Sequence, residues 1–120
     1  MNRKVVEENL NVAYEAIKKC KISDNGKINS TFRSYISQFG VSVVQGSVLA
    51  ALSFYNEKEK KLVDAIMYIL SNGKFKKKDE YKNIDLVNVL ESKIIIDKED
   101  VINASIALKL ALNLYEIDKQ

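Results

Sequence analysis

The sequence predicts an all-α protein, a single-domain bundle of five to six helices. Three observations carry that reading. Proline is absent from all 120 residues and glycine occurs only four times, so the strongest helix breaker is missing. Apolar residues recur at steps of three and four in segment after segment, which is the period of one helical face. From Val43 to Tyr55 almost every residue is apolar, and the interruptions are small or uncharged. A helix with so little polar surface is expected to be buried, as a central core helix or against a partner.

The elements follow in order. A first helix is expected from about Arg3 to Lys21, with Val6, Leu10, Ala13, Ile17 and Cys20 on its apolar stripe and Lys4, Glu8, Asn11, Glu15 and Lys18 opposite. Ser23-Asp24-Asn25-Gly26 reads as a turn, and Asn29-Ser30-Thr31 offers capping side chains for the next helix. That helix carries Phe32, Tyr35, Ile36 and Phe39 on one face and is expected to end at Gly40, a C-terminal cap. The apolar helix then runs from about Ser42 to Tyr55, with Gly46, Ala50 and Ser53 along one small-residue stripe that admits another backbone.

An amphipathic helix over residues 57–71 turns Leu62, Val63, Ile66, Ile69 and Leu70 inward and stops at Asn72-Gly73. Lys74 to Lys82 is a basic loop, and a short helix follows around residues 84–90. Lys93 to Ile96 reads as an extended connector, because a lone β-branched run has no partner strand. Asp97 caps the last helix, expected from about Lys98 to Glu116, with Asp100 completing a capping box. Beyond its first turn the polar residues of that helix are few, so it is either wrapped by the others or docked on another subunit.

A chain of this length is one domain and buries about two-thirds of its unfolded surface. Its longest apolar run is too short and mixed to span a bilayer, the first residues lack the apolar stretch of a secretion signal, and Cys20 is the only cysteine. These features point to a cytoplasmic protein with no membrane association. The net charge is only +3, but it is unevenly spread. Residues 1–33 hold seven Lys/Arg against four acids, and residues 83–120 hold seven acids against four lysines.

Chemistry is limited by what is missing. Without histidine there is no His-based acid–base catalysis, metal ligation or Ser-His-Asp triad, and one cysteine cannot build a Cys-rich zinc site. Neither phosphate-cradling glycine motif occurs. Asp97, Glu99 and Asp100 suit a helix N-terminus better than a cation site. The expectation is therefore a non-enzyme with no cofactor, no metal and no small-molecule substrate.

The remaining candidates are basic. Lys18, Lys19, Lys21, Lys27 and Arg33 surround the first turn, and Lys74, Lys76, Lys77 and Lys78 lie in a loop. Lysines neutralise backbone phosphates without reading sequence, and they equally serve as a solubilising surface. Lys58, Lys60 and Lys61 are weaker candidates because Glu57, Glu59 and Asp64 interleave with them. Phe32, Tyr35, Phe39 and Phe54 read as core. Tyr55, Tyr81 and Phe75 are the candidates for exposure, with Phe75 the best stacking or partner contact.

The segment FRSYISQFGVSVVQGSVLAALSFYNEK resembles the signature region of the small subunit of type III-B CRISPR RNA-targeting (Cmr) complexes. Ser47, Val48, Leu52, Ser53, Phe54 and Lys58 stand at the places of that family's Gly-Leu-x-x-x-Leu-Ala-Phe-like pattern and its following lysine. Ser47 replaces the preferred glycine, with Gly46 adjacent, and Ser53 replaces the usual alanine. DKEDVINASIALKLALNLYEID is similar to the family's last helix, with Val101 where tyrosine is common and Tyr115 where tryptophan is common.

The resemblance implies a helical, non-catalytic subunit in antiviral defence. It would stack with other Cmr subunits and with neighbouring copies of itself. There it would hold a guide RNA/target RNA duplex or a target single strand through the nine basic residues named above, while the guide supplies specificity by pairing. Three alternatives stand beside it. One is the small subunit of a type III-A complex. Another is a helical protein-interaction adaptor without nucleic-acid contact. The third, a DNA-binding regulator, is disfavoured because the second helix of the Phe32–Tyr55 pair has almost no polar residues to reach base edges.

Overall fold

The computed structural model describes residues 1–75, 79–91 and 93–118. Among them the chain forms α1 (Arg3–Glu8), α2 (Leu10–Lys19), β1 (Lys27–Asn29), α3 (Ser30–Gln45), α4 (Val48–Lys58), α5 (Lys60–Asn72), α6 (Leu86–Leu90), α7 (Lys98–Leu112) and β2 (Glu116–Asp118). The all-α class expected from the sequence is the one observed. The short helix after the basic loop and the Asp97 cap are found where the residues place them, the 57–71 helix begins only at Lys60 because α4 runs on to Lys58, and residues 93–96 join no helix or strand but bend at Lys93 and Ile94.

The centre of the core is not the apolar 43–55 segment but α7, which packs against α1, α2, α3 and α5. Ala104, Ala107 and Ala111 are fully buried on it, and side chains that small let surrounding helices approach. The last helix is thus wrapped by the others, and it ends at Leu112 rather than Glu116. The residues after it form β2, which pairs in parallel with β1 in the register Lys27↔Glu116, Ile28↔Ile117 and Asn29↔Asp118. Strands of three residues are too short to show a period, so no pattern announced them. Asn25 (φ 53°) and Gly26 (φ 75°) supply the left-handed turn that leads into β1.

Gly40 does not end a helix. α3 runs through it and faces α7 there, where a Cβ would meet only Ser105 Oγ, at an ordinary 3.6 Å. The break comes at Gly46-Ser47. Lys98 Nζ donates to the carbonyls of Val44 (3.1 Å) and Gly46 (3.3 Å), closing the α3 terminus. Ser47 Oγ accepts from Ala50 N–H at 3.1 Å and starts α4.

α4 is not a buried helix either. Only Ala51, Leu52 and Tyr55 face inward, while Leu49, Ala50, Ser53 and Phe54 are exposed. With α7 at the centre, α4 contacts α3, α5 and α6, and its outer face is left uncovered among the described residues.

The first helix is likewise two. It breaks at Asn9, which is fully buried. Asn9 Nδ2 donates to the carbonyls of Val5 (2.7 Å) and Lys74 (3.1 Å), and Lys74 N–H donates to Asn9 Oδ1 at 2.7 Å. One side chain so holds the start of the basic loop against the α1–α2 joint. Tyr81, expected to be a candidate for exposure, is fully buried. Its hydroxyl donates to Asp100 Oδ2 (2.8 Å) and accepts from Asp97 N–H (3.0 Å), so the phenol stands between the two groups that the expected capping box would join directly.

Burial first, and then the hydrogen bond to Asp100, pushes the Tyr81 phenol far above its ordinary 10.0. Stability from this group is complete below that value and falls as the pH rises towards the higher folded value. Tyr81→Phe is expected to cost about 1–3 kcal/mol in urea denaturation at pH 7, because it removes the hydroxyl that bonds Asp100 and leaves the buried end of the Asp97 N–H without its acceptor. The same variant should show a shallower alkaline loss of stability than the parent. Gly40→Ala should stabilise by about 0.5–1 kcal/mol, since helix propensity improves and the new contact is ordinary. Gly73→Ala should destabilise, because its Cβ would collide with Asn9 Oδ1 and lie 2.6 Å from the Ile69 carbonyl.

Candidate nucleic-acid interface

Lys18 and Lys19 occupy the last turn of α2, where cations meet the negative end of the helix dipole. The helix closes with Lys21 N–H on the Lys18 carbonyl (3.2 Å) and Ile22 N–H on the Ile17 carbonyl (3.0 Å). This is the Schellman pattern, with Lys21 at φ 55° in the position glycine favours. Lys61, near the start of α5, reaches across to place its Nζ 3.0 Å from the Lys21 carbonyl. Its neighbour Lys60 is instead paired with both carboxylate oxygens of Asp64, at 3.1 and 3.0 Å. Four lysines from two chain segments (Lys18, Lys19, Lys21 and Lys61) therefore share one end of the molecule, all exposed. Cys20 sits among them half-buried, and burial first and then Asp64 push its thiol up from 9.0.

The other sequence candidates are elsewhere. Lys27 is exposed on β1, with Glu116 opposite it in the strand pair. Arg33 is half-buried, and its Nη2 donates to Asn113 Oδ1 at 2.7 Å, at the end of α7. Lys74 is exposed, but its backbone is fixed at Asn9, where α2 begins, about 15 Å by helical rise from Lys19. Lys76, Lys77 and Lys78 lie outside the described residues. The structure brings Lys18, Lys19 and Lys21 together, and it separates Lys74 from them.

The aromatic expectations change places. Phe75 is only 7% exposed, because the Asn9 clamp on Lys74 turns the next residue inward, and Tyr55 is buried as well. Phe54, expected in the core, is 54% exposed. Its ring meets Tyr55 edge-on at 5.0 Å, and Lys58 Nζ stands 5.4 Å from its centroid. Phe54, Lys58 and Lys61 are the residues that sequence reasoning set aside. The i, i+4 spacing of Phe54 and Lys58 was the available signal, masked by the apolar run on one side and the interleaved acids on the other.

Between α3 and α7 an open apolar groove of about 370 Å³ is lined by Ile36, Gly40, Val41, Val44, Ile102 and Ile106, with Lys109 also lining it. Val41 and Val44 are 54% and 57% exposed there. No described helix is long and apolar enough to cross a membrane. No protein-family model, curated protein or solved structure matches the chain.

The raised thiol of Cys20 gives a direct check on this end of the molecule. Alkylation of the folded chain should be slower than that of the denatured chain at neutral pH. Its rate should still be climbing above pH 9.0, the ordinary value, because the thiolate is the reacting form.

Proposed function

We propose that this chain is a non-catalytic helical subunit of a cytoplasmic RNA-guided ribonucleoprotein, as its resemblance to the small subunit of type III-B CRISPR complexes implies. In that role it stacks beside other subunits and neighbouring copies of itself and holds target RNA against the guide. The supporting observation is the combination, on one small fold, of an exposed lysine cluster with uncovered apolar helix faces. Lys18, Lys19, Lys21 and Lys61 suit backbone phosphate, which needs charge and no base-reading group. Lys27, Lys74 and the Lys76–Lys78 run add cations along other parts of the chain. Val41, Val44, Leu49 and Leu90 supply the apolar area that subunit contacts use. The type III-A small subunit is the same proposal with a different set of backbone subunits.

One observation favours a second reading, a protein-interaction adaptor without RNA. Arg33 is tied to Asn113, and the open α3–α7 groove is apolar. A tagged pull-down from the native host with sequencing of bound RNA separates the two readings. Recovery of complex subunits with a discrete set of guides supports the ribonucleoprotein. Recovery of protein partners alone establishes the adaptor. In the assembled complex, joint reversal of Lys18, Lys19 and Lys21 to glutamate should weaken target binding. It should also flatten the log–log salt dependence by about two to three units for three lost phosphate contacts. Unchanged affinity and slope would remove these lysines from the interface.

A further inference from the structure

We infer that the outer face of α4 carries a stacking site for single-stranded RNA, formed by Phe54 and continued by Lys58, Lys61 and Lys21. The inference rests on the reading that the lysine cluster holds RNA phosphate, and it adds a base-binding element that the lysines alone lack.

The Phe54 ring is not needed to close the core, since Ala51, Leu52 and Tyr55 make the inward contacts of α4. It is nonetheless held. Phe54 packs edge-on against Tyr55 with an interplanar angle of 81°, and buried Tyr55 packs in the same manner on Phe39 at 5.7 Å and 82°. Three linked rings thus anchor an exposed aromatic plane to the core. A plane already fixed loses little freedom when a base stacks on it.

Lys58 keeps its ammonium 5.4 Å from the Phe54 centroid. On its flexible four-carbon stem it can move to a phosphate while a base takes the ring. From there the basic path is short. Phe54 and Lys58 are one helical turn apart, about 5–6 Å. The three residues from Lys58 to Lys61 span about 11 Å at most. Lys61 then touches the Lys21 carbonyl. That length suits a few nucleotides, the lower end of single-strand site sizes. A duplex keeps its base faces occupied by its own stack, so the ring selects unpaired bases. It presents no donor or acceptor, so it takes any base. Glu57 is the exposed acid next to Lys58 and opposes the polyanion, whereas Lys60 is already neutralised by Asp64.

The test is fluorescence anisotropy at low salt with the full chain, a labelled oligouridine RNA and an RNA duplex of equal length. Phe54→Ala should weaken single-strand binding by about 5- to 100-fold, the range of one lost stacking contact, and change duplex binding less than twofold. Phe54→Trp should retain single-strand binding, and Glu57→Gln should strengthen it. Should Phe54→Ala lower the melting temperature, Phe54→Leu keeps the apolar bulk without the ring and must show the same loss. Unchanged single-strand affinity in these ring-less variants, or equal loss on both RNAs, overturns the stacking site. If the ring variants are silent while the Lys18/Lys19/Lys21 reversal weakens binding, the stacking site falls and the phosphate reading stands. Failure of the parent chain to bind either RNA overturns both.

Discussion

The structure depends on keeping one helix almost entirely out of water. α7 has only a thin polar stripe, and it also carries Asp100, Asn103 and Ser105 into the interior. Each buried polar group must then find a partner, because an unpaired one costs about as much as a well-packed apolar side chain gains. The partners come from distant parts of the chain. Tyr81 meets Asp100, the Asn2 N–H donates to Asn103 Oδ1 at 2.9 Å, and Ser105 bonds within its own helix to the Ile102 carbonyl at 2.8 Å. Among the described residues no buried side-chain nitrogen or oxygen is left without a hydrogen bond. The start of the chain and the segment before α6 are thereby tied to the same helix, so its burial organises the whole domain.

Once α7 fills the centre, few helices remain to cover the rest. α1, α2, α3 and α5 surround it, and α4 is left on the outside with α6 as its small neighbour. A chain of 120 residues has too much surface for its volume to cover two apolar helices. The exposed side chains of α3 and α4 follow from this geometry. They put apolar area on the surface without any change of fold.

Much of this was legible in the sequence, and the misses have physical causes. Steps of three and four fixed α5, whose apolar face is buried as expected, and Asp97 announced its cap through a side chain that accepts from Glu99 and Asp100 N–H. The 43–55 run showed only that a helix needed cover. Which of two apolar helices receives it is decided by the alanines of α7, a packing property with no periodic signature. Gly40 read as a cap because glycine often stops a helix, but it stands mid-helix in α3 at a position where a Cβ would meet only an ordinary contact. Nothing in the sequence singled out Asn9, because the partner that explains its burial, Lys74, lies 65 positions away. That one clamp also decides the fate of Phe75. The interface was less legible than the fold, since Lys61 joins the first basic cluster only through tertiary contact.

At the α2 end, Lys21 is the cation that folding explains least. Lys18 and Lys19 are explained locally, since cations in the last turn of a helix are worth about 0.3–1 kcal/mol each through the dipole. Lys21 is not. It holds the left-handed position of the Schellman turn at φ 55°, where a residue with a Cβ costs roughly 1 kcal/mol more than glycine. It makes no ion pair among those of the described residues, and its side chain is exposed. Its carbonyl also accepts from Lys61 Nζ, which brings a further cation to the end of α2. Folding accounts for the turn but not for the choice of a cation within it. In the proposed role an anionic partner would account for the choice, and a polyanion that continued past Lys58 to the Phe54 ring would account for the exposed aromatic as well.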